Sequence, residues 1–163
     1  MAPARMKPLS LRWLTAAEQA LAREVFGSGI RHPERVRIFA QPVFPRPFTP
    51  GSAGVVYPVR ESLQDFTEGS LGDQATFVHE MVHVWQAQKG VILPIAKLQA
   101  GDSDAAYRYD LDAQMFDRMD IEQQARVVEH HFVLQRRATL LTGRKPPFAA
   151  QRYEALRGWW FAP

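Results

Sequence analysis

Residues 77–86 read Phe77-Val78-His79-Glu80-Met81-Val82-His83-Val84-Trp85-Gln86, and both fold and chemistry turn on this stretch. On a helix, His79 and His83 lie four residues apart on one face, so both imidazoles reach one metal ion. Glu80 stands beside that face, where a carboxylate can hold a water bound to such an ion and take its proton. Zinc suits imidazole and carboxylate ligands and lowers the pKa of its water toward 7. The interleaved Phe77, Val78, Met81, Val82, Val84 and Trp85 are uncharged, as in a helix that crosses a core. Two histidines and a glutamate buried there without partners would be costly. The pattern therefore predicts a metal-binding helix over 73–89, with Gly90 as its stop.

A catalytic zinc takes three protein ligands and keeps one position open. The extended metzincin pattern would need Gly at 86 and His at 89, and Gln86 and Lys89 exclude it. The candidates further along are Asp104, Glu122, Glu129, His130 and His131. Glu122 leads, because Asp120 caps a helix expected to run to about Leu141, and that helix could present one carboxylate to the first. Its alternative role is a first-turn glutamate that stabilises the helix dipole. Asp104 ranks second: Gly101-Asp102-Ser103-Asp104-Ala105-Ala106-Tyr107 is similar to the Gly-Thr-x-Asp-x-x-Tyr-Gly motif of aspzincins. Asp102 replaces its Thr, and Arg108 its closing Gly. An oxyanion donor is also needed. Tyr107 and Tyr109 lie between the two helices, and Tyr109 is the candidate chosen.

Working outward, the 163-residue chain has no cysteine, which removes disulfides, thiolate zinc clusters and thiol nucleophiles together. A chain of this length buries roughly 69% of its surface on folding, enough for one core, so residues 1–163 are expected to form a single domain. Residues 1–13 and 158–163 are expected to be looser tails. No apolar run is long enough to span a membrane. The N-terminal residues lack the apolar run of a secretory signal, so the expected compartment is the cytoplasm, with export by a signal-independent system as the other route. The net charge of +3 conceals an asymmetry. Residues 1–60 carry +6 (nine basic, three acidic), residues 61–125 carry −8 (four, twelve), and residues 126–163 carry +5 (seven, two). The basic residues are dispersed rather than gathered in a stripe, which disfavours nucleic acid as a partner. The acidic middle suits a cation and neutral or basic substrates.

The flanking elements indicate an α+β fold. Thr15 and Glu18 form a capping box for a helix that ends at Gly27. Residues 35–40 alternate as a strand. Residues 42–50 hold four prolines and can be neither helix nor central strand. Residues 54–59 read as a short strand that Pro58 demotes to a sheet edge. Such an edge could align an extended peptide by strand addition, with Tyr57 near the cleft as a substrate-binding residue. Residues 104–115 read as a weaker helix, residues 149–157 as a last short one, and Gly143 with Pro146-Pro147 as the end of the ligand helix.

Residues 77–86 resemble the (F)(I/V)HExTHVWQ signature of zincins described as Vgr-related or Rhs-element-associated proteins of proteobacteria. The likeness extends to Leu14-Thr15-x-x-Glu18, Val25-Phe26-Gly27, Arg35-Val36-Arg37-Ile38, Tyr107-x-Tyr109-x-Leu111 and Glu122-Gln123-Gln124-Ala125. The resemblance implies a minimal gluzincin-type fold, a small antiparallel sheet on an active-site helix and a second ligand helix, with Glu122 as third ligand. Arg126 stands where many gluzincins carry an Asp, so support for a ligand histidine must come from elsewhere. The expected function is zinc-dependent hydrolysis of a peptide or protein. His79, His83 and Glu122 would hold Zn2+, with Glu80 as base and Tyr109 polarising the carbonyl. A non-catalytic, metal-stabilised adaptor linked to secretion and a cell-wall amidase are the alternatives.

Overall fold

Ser70 begins the central helix. Its hydroxyl accepts from the Asp73 amide while the Asp73 carboxylate accepts from the Ser70 amide, a reciprocal cap that starts α2 (Leu71–Gln88). In the computed structural model, which describes residues 2–101, 103–136 and 149–161, all ten residues from Phe77 to Gln86 are buried. A helix enclosed on every side must lie between layers. On one side is the sheet, on the other α4 (Ile121–Gln135), the element against which α2 packs most extensively.

The strands are β1 (Leu11–Trp13), β2 (Arg37–Gln41), β3 (Phe48–Gly51) and β4 (Gly54–Pro58), in the order β1-β2-β4-β3. β2 pairs with β1 antiparallel and with β4 parallel, and β3 pairs with β4 antiparallel. The sheet is thus mixed, not the antiparallel one expected. β4 is also internal, not an edge. Pro58 is its last residue, opposite Gln41, so the missing N–H falls where the ladder ends. The edges are β1 and β3; β3 is drawn from the proline-rich stretch, and Pro50 is tolerated there because an edge strand is paired on one side only, with an irregular register here. Period-2 alternation turns Ile38, Ala40, Val55 and Tyr57 inward onto α1 (Ala16–Phe26) and α2.

α1 has the expected Thr15–Glu18 box, and Glu18 does more than cap. Fully buried, it takes both Nη groups of Arg12 at 2.7 Å and the Phe66 amide at 2.8 Å, tying β1 and the loop before α2 to α1. Beyond α2, a helix absent from the sequence reading follows, α3 (Leu93–Ala100), with Pro94 in its first turn. The helix expected over 104–115 is instead a 3-10 turn, Asp104–Tyr107, followed by irregular chain. There the Asp110 carboxylate accepts from the Asp112 amide and Gln114 from the Asp110 amide, and side chains that satisfy their own backbone compete with a helix. The last expected helix is split into α5 (Ala150–Glu154) and α6 (Arg157–Phe161). The expected continuation of α4 to Leu141, Gly143 and the Pro146-Pro147 pair lie outside the described residues.

Within the stretches expected as looser tails, some described residues reach the core while others, such as Leu9 and Trp159, are exposed. Met6 and Trp160 are buried, Arg5 bridges to Leu63, and β1 belongs to the sheet. Gly29 lets the last helix dock, since a Cβ there would stand 2.0 Å from the carbonyl oxygen of Trp160.

Candidate metal centre

α2 and α4 bring His79, His83 and Glu122 together, and their ligand atoms lie within 4.8 Å of one another. Glu122 Oε2 is 3.3 Å from His79 Nε2 and 3.6 Å from His83 Nε2. Ligands at the 2.0–2.1 Å of zinc–nitrogen and zinc–oxygen bonds stand roughly 3.3 Å apart around a tetrahedron, and the two separations from Glu122 are close to that. The local sequence explains the placement. Asp120 accepts from the Glu122 and Gln123 amides and starts α4, which puts Glu122 in its first turn, facing the middle of α2.

The outer nitrogens of both imidazoles are engaged. His79 Nδ1 is 2.9 Å from Glu129 Oε2, and His83 Nδ1 is 2.8 Å from Gln86 Oε1. In the tautomer that these acceptors select, each Nδ1 donates and each Nε2 turns its lone pair toward the centre. Glu129 is held in turn by Arg126 Nη1 at 2.8 and 2.9 Å, and Gln86 donates to Ile121 and Gln124 on α4. The support that Arg126 cannot itself give His79 therefore comes from Glu129, two turns beyond Glu122. Gln86 and Glu129 were not assigned these roles from sequence. The available signal was spacing: Gln86 follows His83 by three residues, and Glu129 follows Glu122 by seven, each on the face of its ligand.

Burial alone would lower the pKa of His79, yet hydrogen bonds to Glu122 and Glu129 push it up to about 9. Burial alone would raise that of Glu122, but His79 and His83 hold it far below the usual carboxylate range. The three side chains of the cluster thus share a proton among them.

Glu80 is buried, and its Oε2 accepts from the Thr49 hydroxyl at 2.8 Å. Thr49 belongs to β3, so the sheet edge passes beside the carboxylate. Lys97 reaches in from α3, its Nζ 2.6 Å from Glu122 Oε1 and 3.2 Å from the Tyr107 hydroxyl. The Tyr107 ring lies 6.3 Å from that of His79.

Two expected residues lie elsewhere. The Tyr109 hydroxyl is 2.5 Å from both His130 Nδ1 and the Tyr153 hydroxyl, a clamp between α4 and α5. Burial first, and then the Tyr153 bond, push its pKa far above the ordinary tyrosine value. The phenol beside the ligands is Tyr107. Tyr57 is buried, its ring centroid 4.5 Å from that of Phe66, and does not line an open cleft; alternation turns it to the core face of β4. Among the other candidate ligands, His131 pairs with Glu154 at 2.7 Å. Asp104 opens its 3-10 turn, and its side chain lies outside the described residues. Cavities of about 270 and 330 Å³ lie away from the cluster, lined by residues such as His131 and Glu154 in one and Ser28 and Lys89 in the other.

Fold and cluster together define an α+β domain in which two packed helices present a His-His-Glu cluster that could hold a metal ion. No family model matches the chain. It is 34% identical over 134 residues, 75% of its length, to the type VI secretion system spike protein VgrG2b of Pseudomonas aeruginosa, and the match spans 13% of that protein. The solved effector domain of Pseudomonas aeruginosa VgrG2b has the same fold, with a TM-score of 0.63 and 23% identity, covering 98% of this chain and 87% of that one. The chain is Vgr-related. No helix among the described residues is long and apolar enough to cross a membrane.

Proposed function

We propose that this chain is a zincin-like, zinc-dependent metallopeptidase that acts as a secretion-linked effector. The observation that carries the reading is the convergence of His79 Nε2, His83 Nε2 and Glu122 Oε2, with Glu80 next to His79 in the chain, buried and held by Thr49. A zinc ion bound there would supply Lewis acidity toward water and toward a carbonyl oxygen. Thr49 holds Glu80 through Oε2, and the Glu80 carboxylate would take a proton from the attacking water and return it to the departing amine nitrogen. Tyr107, beside His79, replaces Tyr109 as the phenol that can donate to the developing oxyanion. The edge strand β3, not β4, offers backbone groups to an extended substrate. The likeness to a secretion-spike protein supports export by that route and association with such a system.

A metal-stabilised adaptor is the second reading, favoured by the near closure of the centre: His79, His83 and Glu122 are only 9%, 6% and 2% exposed. Glu80→Gln separates the two. For an enzyme, cleavage of a peptide library falls by at least about 10²-fold, the size of a general-base contribution, while metal content is kept. Wild-type protein that takes up zinc and cleaves neither peptides nor muropeptides supports the adaptor. Muropeptide cleavage alone makes the substrate a cell-wall amide.

A further inference from the structure

The two oxygens of Glu122 face different partners. Oε2 lies toward both imidazoles, whereas Oε1 lies 2.6 Å from Lys97 Nζ. The lysine comes from α3, which carries none of the ligands, and its side chain is 39% exposed, so the ammonium is not buried to satisfy the core. Tyr107 helps to fix where it stands. Nζ lies 3.2 Å from the Tyr107 hydroxyl, and the Tyr107 ring is flanked by Lys97 Nζ at 5.4 Å and Arg126 Cζ at 5.2 Å from its centroid. A short, charge-assisted bond to one oxygen of a carboxylate competes with any cation for that oxygen. A carboxylate that closes on zinc with both oxygens takes up two coordination positions, and a catalytic zinc needs one left open.

We propose that Lys97 is a positioning residue: by holding Oε1, it makes Glu122 a one-oxygen ligand and keeps the ion four-coordinate with an exchangeable position. This rests on the metal reading above, and the test separates the two. Cobalt(II) is titrated into metal-free wild-type, Lys97→Met and Lys97→Arg proteins, and the visible absorption is recorded. Four-coordinate cobalt absorbs severalfold more strongly than five-coordinate cobalt, so geometry is read independently of activity. The expected result is strong absorption for wild-type and Lys97→Arg, with a severalfold loss for Lys97→Met at full occupancy, as Oε1 closes on the ion. Equal, strong spectra in all three proteins would overturn the role of Lys97 and leave the metal site standing. A weak, five-coordinate spectrum from metal-loaded wild-type would overturn it as well. A wild-type spectrum of free aqueous cobalt would overturn the metal reading itself. Near-UV circular dichroism verifies folding; if Lys97→Met fails that check, Lys97→Gln, which also removes the charge, is read by the same criteria.

Discussion

At the scale of single residues, the centre is governed by groups that touch the ligands. Glu129 fixes the orientation of His79 through Nδ1 and makes that ring a better donor at Nε2. Glu129→Gln should weaken zinc binding by about 10–100-fold, as outer-shell losses do, without unfolding the chain. Competition against a chromogenic chelator measures this, and unchanged affinity would remove Glu129 from the account. His79 itself makes a prediction about protons. In the metal-free chain its raised pKa of about 9 means that pairing with Glu122 and Glu129 stabilises the fold fully below 6.5 and is lost as pH rises through about 9. A metal ligand must be neutral, so zinc uptake at pH 7.5 should release that proton. Calorimetry in buffers of different protonation enthalpy tests it, and a binding heat independent of the buffer would contradict it.

At the scale of elements, α4 matters through its first turn. Asp120 satisfies two amides that would otherwise lack partners, one of them that of Glu122. Asp120→Ala should cost about 1 kcal/mol of stability, a typical loss for an N-cap, and also weaken metal binding by loosening the turn that carries the ligand. Denaturant melts with and without zinc separate the two effects. The strong local patterns were legible in the sequence: the His79–His83 turn, the Thr15 and Asp120 caps, and Glu122 as their partner in space. The sheet order was not, because the pairing of β2 with β4 is a long-range choice, and Pro58 marks an edge only where it interrupts a ladder, whereas here it ends one. Tyr107 and Tyr109 were not distinguishable either. They are two residues apart in irregular chain, and only the fold decides that one faces His79 while the other is clamped by His130 and Tyr153. Lys97 was hidden for a related reason. α3 is short, carries a proline in its first turn and holds no residue of the cluster, so nothing local marked its lysine.

At the scale of the molecule, the acidic middle segment that the net charge conceals contains Glu80 and Glu122 together with His79 and His83. The flanking segments build the scaffold around it: the sheet under α2, and the C-terminal helices against α4 and Gly29. Binding of an ion to the folded chain alone should therefore raise the stability of the whole domain, since the ligands come from two helices far apart in sequence. The most direct test is the metal content of purified chain loaded with zinc and freed of excess, measured by atomic emission for wild type, His79→Ala, His83→Ala and Glu122→Ala. The account predicts about one zinc ion per wild-type chain and marked loss in each variant. A wild-type chain that retains no zinc, or variants that hold as much as wild type, would contradict it.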